Sequence, residues 1–189
     1  MHRSIAVPWS DILMLALMTM IFVMLSMTTE AQRKVEGEDR IGAVMVQTSW
    51  PDAYDDDIDT WVQAPGDIPI GYSNLNGIVF NLLRDDLGNV IDLAAINQEN
   101  AISRGCPAGE WIVNLHFYRR RISSVPVPVV VQITVWDGKK SPAIVYTGKT
   151  GMLFEGQETT VWRGQIDSKC NVVPGTVGSV FKPLRAGVK

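Results

Sequence analysis

The chain has 189 residues, with 17 lysines and arginines against 20 aspartates and glutamates, and a net charge of −3. Its basic residues are scattered, so it lacks the positive field that attracts nucleic acid, and we expect no nucleic-acid partner. About 150 residues follow the first apolar segment, which is enough for one domain with a core of its own.

The first element along the chain is an apolar run from Ile12 to Met27, interrupted only by Thr19 and Ser26. With its flanking residues the run reaches the ~20 residues that a helix needs to cross a bilayer. Backbone polar groups in hydrocarbon must pair within their own segment, so such a run is helical. The sequence predicts a short tail and a transmembrane anchor over residues 1–29, in the inner (cell) membrane, with the N-terminus cytoplasmic and the main domain periplasmic or otherwise extracytoplasmic.

A cleaved signal peptide is an open alternative to this anchor. Arg3 precedes the apolar run, and Thr29 and Ala31 flank Glu30 in a sequence that roughly fits a small-x-small cleavage site. Both alternatives send the rest of the chain across the membrane. Residues 30–42 are charged and lack apolar periodicity, which predicts a linker that can extend the helix.

Asp11 is the one charged residue at the start of the apolar run. At 100° per residue it shares a helix face with Thr19 and Ser26. A carboxylate at bilayer depth is energetically unfavourable and indicates function. Alternatively, Asp11 lies among lipid headgroups and interacts with the positive N-terminal end of the helix. Both interpretations stay open.

The order of a short tail, an aromatic residue, an aspartate and an unbroken apolar run resembles the single transmembrane helix of ExbD, TolR and MotB proteins. These are the small subunits of ion-driven membrane motors. The matching residues are Trp9, Asp11 and Ile12 to Leu25. The resemblance implies that Asp11 carries a proton in a self-associating helix bundle beside a multi-pass membrane protein. Beyond the helix, neither a MotB-type peptidoglycan-binding domain nor the ExbD periplasmic fold is recognised.

The chain after residue 42 is rich in runs of β-branched and aromatic residues separated by Gly, Pro, Asn and Asp. This spacing predicts a mainly β class, with one antiparallel β-sandwich, Ig-like or jelly-roll-like, over residues 43–182 and a loose basic tail over 183–189. The runs are Ala43 to Trp50, Ile58 to Val62, Ile78 to Leu83, Trp111 to Tyr118, Val127 to Trp136, Ala143 to Thr147 and Thr160 to Ile166.

Alternation within two of these runs predicts which side chains enter the core. In the first, every second residue from Trp111 to Phe117 is apolar, which puts His116 on the outer face of that strand. The run that begins at Val127 alternates in the same way. The two runs flank Pro126, and we expect them to pair as a hairpin.

Five short motifs lie between residues 55 and 136, namely DDDIDTWVQAPGD, GYSN, LLRDDLGN, NQENAI and PAGEWIVNLHFYRRR. In order and rough spacing they resemble YfaP-like domains, which are β-sandwich modules of bacterial envelope proteins without a known function. The resemblance implies an envelope β-sandwich here. It departs from the family at Trp111, where the motif has Tyr, and at residues 90–95, which match nothing. The best-matched motifs are Asp57, Asp59 and Trp61; Pro65, Gly66 and Asp67; Arg84, Asp85 and Asp86; and Ala108 to Val113.

Carboxylates in this region form a candidate calcium site. Residues two apart on a strand point to one face, and a loop can bring further carboxylates to them. Calcium takes six to eight hard oxygen ligands, although acidic turns at a sheet end are also commonly just solvated. The candidate ligands are Asp55, Asp57, Asp59, Asp85 and Asp86.

No motif indicates an enzyme. His2 and His116 are the only histidines, so there is no histidine cluster for zinc, and neither phosphate-binding loops nor a nucleophile elbow are present. We therefore predict no catalytic residues. Cys106 and Cys170 lie in turn-like contexts and, outside the cytoplasm, either form a disulfide across about 60 residues or remain free thiols.

Two function hypotheses follow from the sequence. In the first, the protein is a single-pass, motor- or stator-type subunit of the ExbD/MotB kind with an extracytoplasmic β-sandwich. In the second, it is a passively anchored or secreted envelope binding module, stabilised by calcium and without a transport role. Calcium is the only cofactor that either hypothesis includes.

Overall fold

A computed structural model describes residues 9–37, 43–86, 96–121 and 126–185. The chain divides into two compact units, Met1–Asp39 and Arg40–Lys189. Within the described residues, the first unit contains one helix and the second contains eight strands.

The first unit contains the helix α1, Trp9–Gly37, so part of the predicted linker is helical. Its hydroxyl groups bond within the helix, as Thr19 Oγ1 donates to the carbonyl of Ala16 at 2.8 Å and Ser26 Oγ to that of Val23 at 2.9 Å. Among the described residues, no helix is long and apolar enough to span a membrane. The transmembrane helix predicted for residues 1–29 is therefore unsupported by the structure.

The second unit is built from eight strands, which form two antiparallel sheets. One sheet has the order β3-β4-β1-β6-β7 and the other the order β2-β5-β8. This confirms the mainly β class. The strands are β1 Ala43–Ser49, β2 Asp57–Gln63, β3 Phe80–Arg84, β4 Gln98–Ser103, β5 Gly109–Arg119, β6 Val127–Trp136, β7 Ala143–Met152 and β8 Glu158–Ile166.

The predicted hairpin between the strands on either side of Pro126 is wrong. β5 pairs with β2 and β8, whereas β6 pairs with β1 and β7, so the two strands lie in different sheets. Each strand has one apolar face, and both faces contribute to the same buried cluster. The two strands therefore share one core, and no backbone hydrogen-bond ladder joins them.

The core face predicted for β5 is confirmed. Trp111, Val113, Leu115 and Phe117 are buried together with the inward side chains of β6. The ring of Trp111 also packs edge-on against Phe80 of β3, with centroids 5.3 Å apart. The interior of the domain is thus filled from both sheets.

A disulfide and a buried leucine hold the C-terminal part of the domain. Cys106 and Cys170 are bonded, with Cα atoms 5.5 Å apart and a sequence separation of 64. A loop of that length makes a disulfide worth about 2–4 kcal/mol. Leu184, from the segment expected to be loose, is fully buried against Trp61 and Ile112.

Candidate functional site

The candidate site is a group of carboxylates at the edge of β2, where this strand approaches β4 and the end of β3. Asp59 lies on β2, Asp85 follows β3, and Glu99 lies on β4. Each offers one oxygen, and the three oxygens lie within 4.8 Å of one another. Because β2 is an edge strand of one sheet and β3 and β4 are neighbours in the other, the group joins the two sheets.

Glu99 is the most deeply buried member of the group. Its side chain is inaccessible to solvent. Oε2 accepts a hydrogen bond from the backbone N–H of Thr60 at 2.5 Å. This N–H lies on the edge of β2 that pairs with no other strand of its sheet. Oε1 accepts the N–H of Asp86 at 3.3 Å. Burial, with the nearby Asp59 carboxylate, raises the pKa of Glu99 well above its usual range, because two donors do not replace lost hydration.

Asp59 connects the group to a histidine. Its Oδ2 lies 2.6 Å from Nδ1 of His116, and the two residues are directly opposite in the β2–β5 register. His116 was expected at the surface; it does lie on the outer face of β5, but it is only 2% exposed. Burial raises the pKa of Asp59 although the His116 hydrogen bond and charge lower it.

Asp57 adds an unpaired carboxylate. It is 5% exposed and accepts no hydrogen bond from any residue in the described part of the chain. Burial is the largest cause that raises its pKa to about 7, and the charges of Asp59 and Asp85 add to it. A buried carboxylate without donors is destabilising unless it is protonated or meets a cation.

Asp85 and Asp86 have different surroundings. Burial raises the pKa of Asp85, and its side chain is hydrogen-bonded to Glu99. Asp86 instead accepts the N–H of Gln98 at 3.0 Å and lies 3.6 Å from the guanidinium of Arg84. Asp86 therefore fixes the start of β4, while Asp85 faces the group.

The structure brings together part of the predicted calcium set. Asp57, Asp59 and Asp85 influence one another electrostatically. Asp55 instead lies 3.5 Å from the guanidinium of Arg121, because it precedes β2 and an irregularity in the register follows at Asp57 and Ile58.

Glu99 was absent from the predicted set. It lies in a polar sequence, Gln-Glu-Asn-Ala-Ile-Ser, that gave no strand signal. Only the alternation of buried residues, Glu99, Ala101 and Ser103, places it inside. In the sequence, only the alternation of Glu99 with Ala101 and Ser103 could have indicated that its side chain is buried.

The arrangement can bind a hard divalent cation. Three carboxylates converge and a fourth lies nearby, which is the ligand type that calcium prefers. Their pKa values are raised because negative charge is buried with too few hydrogen-bond donors. A bound cation would remove that cause. These residues fit calcium by their chemistry and their burial.

Asp11, the predicted proton carrier, lies in the first turn of α1 and belongs to the other unit. Between Asp11 and Ser26, the described part of this helix contains no second carboxylate.

No family model, curated protein or solved structure matches this chain. The fold and the site thus define the class as a mainly β domain with a buried carboxylate group, and the two family resemblances stay predictions.

Proposed function

We propose that the β domain is an extracytoplasmic binding module whose two sheets are joined by a bound calcium ion. The observation that carries this proposal is the convergence of Asp59, Asp85 and Glu99 at the junction of the sheets. Carboxylates from three different strands or strand ends meet there only after folding. An ion bound to them would therefore stabilise the folded domain selectively.

Calcium suits these residues better than magnesium does. Carboxylates that can bind through one or both oxygens satisfy its six to eight ligands in a flexible geometry, whereas magnesium requires a near-ideal octahedron and keeps several waters. Asp57 supplies a further ligand from the same strand as Asp59. A bound ion would fix the end of β3 to the edge of β2 and so make that side of the domain rigid.

The disulfide and the apolar N-terminal segment support a location outside the cytoplasm, and the proposed calcium site is compatible with it. The Cys106–Cys170 disulfide is typical of an oxidising compartment. Calcium sites of moderate affinity are filled at the millimolar concentrations found outside cells. The apolar N-terminal segment would deliver the domain, either as an inner-membrane anchor or as a signal peptide, and the YfaP-like resemblance favours an envelope role.

The test is the melting temperature of the full-length protein in mild detergent, first with EGTA and then with millimolar calcium or magnesium. We expect calcium to raise it by several degrees, since a ligand at 100 times its Kd adds about 2.7 kcal/mol to the free energy of unfolding. Glu99→Gln should abolish the rise. Glu155→Gln, at an exposed carboxylate outside the group, should keep it. Equal melting temperatures with and without calcium would contradict the proposal.

A second candidate function is the motor-type subunit. The observation that favours it is Asp11 at the start of an apolar helix in which the hydroxyl groups of Thr19 and Ser26 donate to backbone carbonyls three residues earlier. In this proposal Asp11 carries a proton in a self-associated bundle with a multi-pass membrane protein. Co-purification in mild detergent would recover that partner. Asp11→Asn should abolish any ion-driven phenotype that Asp11→Glu retains, and an unchanged phenotype in Asp11→Asn would exclude the proton role.

A further inference from the structure

A second candidate binding site lies beside the disulfide, in a cleft of about 620 Å³. This volume is in the range of small-molecule sites. The cleft is bordered by the turn after β6 and by the turn after β8. Its lining residues are Cys106, Asp137, Lys139, Lys140, Ser168, Lys169, Cys170 and Asn171.

An aspartate organises each of the two turns. Asp137 Oδ1 accepts the backbone N–H groups of Lys139 at 2.9 Å and Lys140 at 2.7 Å. In the second turn, Asp167 Oδ1 accepts the N–H of Lys169 at 2.8 Å. These backbone hydrogen bonds lower the pKa of both aspartates. Each turn is thereby held in a conformation that presents lysines at the rim of the cleft.

The lysines concentrate positive charge in a chain whose net charge is −3. Lys139, Lys140 and Lys169 are exposed, and none forms a salt bridge with another residue of the described chain. They outnumber the two carboxylates of the turns, Asp137 in the lining of the cleft and Asp167 beside it. The cleft is therefore a local positive site on an acidic protein.

A smaller apolar pocket adjoins the cleft. It measures about 370 Å³ and shares Asp137, Lys140, Cys170 and Asn171 with the cleft. Its wall includes Val135, Val145 and Val172. The disulfide at Cys170 joins the second turn to the loop before β5, which keeps the two pockets side by side.

We propose that this cleft binds a phosphate-bearing ligand with an apolar part. The three ammonium groups suit phosphate oxygens, and the Ser168 hydroxyl adds an uncharged donor. The valine-lined pocket accepts the apolar part. The proposal is independent of the calcium site, because no lining residue of the cleft belongs to the carboxylate group. Such a ligand is either a free organic phosphate or a phospholipid headgroup.

Titration calorimetry of the full-length protein in non-ionic detergent tests both sources. The free probe is phenyl phosphate, with benzyl alcohol as its uncharged counterpart. The lipid probe is a mixed micelle of phosphatidylglycerol, with phosphatidylcholine as its zwitterionic counterpart. We expect binding of at least one anionic probe and not of its counterpart, weakened by added salt because the contacts are exposed charges.

The variant Lys139→Gln, Lys140→Gln and Lys169→Gln should weaken that binding at least tenfold. All three side chains are exposed, so the variant leaves the core intact, and its melting temperature checks this. Lys149→Gln, an exposed lysine of β7 outside the cleft, is the matched control and should bind within twofold of the unmodified protein. Failure of both anionic probes to bind, unchanged binding in the triple variant, or equal loss in Lys149→Gln would overturn the proposal.

Discussion

Aspartates in two regions of the same domain have pKa values shifted in opposite directions. Burial raises the pKa of Asp57 to about 7, and it accepts no hydrogen bond from a described residue. Asp137 and Asp167 accept two backbone N–H groups each, and these bonds lower their pKa. The difference shows that burial without hydrogen-bond donors raises the pKa of a carboxyl group, whereas backbone donors at an exposed turn lower it.

The largest predicted effect concerns the disulfide, which borders only one of these regions. Cys106→Ala with Cys170→Ala should lower the free energy of unfolding by about 2–4 kcal/mol, measured by urea denaturation. Because the disulfide lies at the lysine-lined cleft, the variant should also weaken phenyl phosphate binding. The calcium-induced rise in melting temperature should remain. Loss of that rise would mean that the two regions are not independent.

The second prediction concerns the pH dependence of stability in EGTA. Asp57 has a pKa of about 7 in the folded protein and 3.8 when unperturbed, so the folded state holds its proton more tightly. Its contribution to stability is therefore largest at low pH and is lost as pH rises from about 4 to about 7. Asp57→Asn should flatten this decline in urea denaturation at pH 5 and pH 8.

Calcium should reverse the same trend, since it binds deprotonated carboxylates and competes with their protons. The calcium-induced gain in stability should be larger at pH 8 than at pH 5. A gain that is equal at both pH values would show that the ion binds elsewhere.

The smallest predicted effect concerns Asp137. Asp137→Ala removes the acceptor for two backbone N–H groups, whereas Asp137→Asn keeps an oxygen at that position. We expect Asp137→Ala to lower the melting temperature slightly, by less than the cysteine variant does, and Asp137→Asn to lower it less still. Equal melting temperatures in both variants and the unmodified protein would show that the turn does not depend on this aspartate.

The sequence predicted most strands because their apolar residues alternate or cluster, as in β5 and β6. It missed β4, since Gln98 to Ser103 contains only Ala101 and Ile102 as apolar residues. The sequence also failed to predict the pairing of β5 and β6, because these strands on either side of Pro126 belong to different sheets.

Three of the four carboxylates of the candidate site were predicted from the sequence. Asp57 and Asp59 share a strand face, and Asp85 lies in an acidic loop, which the sequence shows. Glu99 was not identified because the residues that it contacts, Thr60 and Asp59 on β2 and Asp85 after β3, are distant from it in the sequence. The sequence also did not indicate that His116 is buried, since this burial depends on Asp59 lying opposite His116 in the register of β2 and β5.

The most direct test of the calcium site is a crystal of the protein grown with calcium, with anomalous difference density measured at a long wavelength. The account predicts one strong peak among the carboxylate oxygens of Asp59, Asp85 and Glu99, at the 2.3–2.6 Å distances typical of calcium. The absence of a peak there at millimolar calcium, or a peak only at other carboxylates, would contradict it.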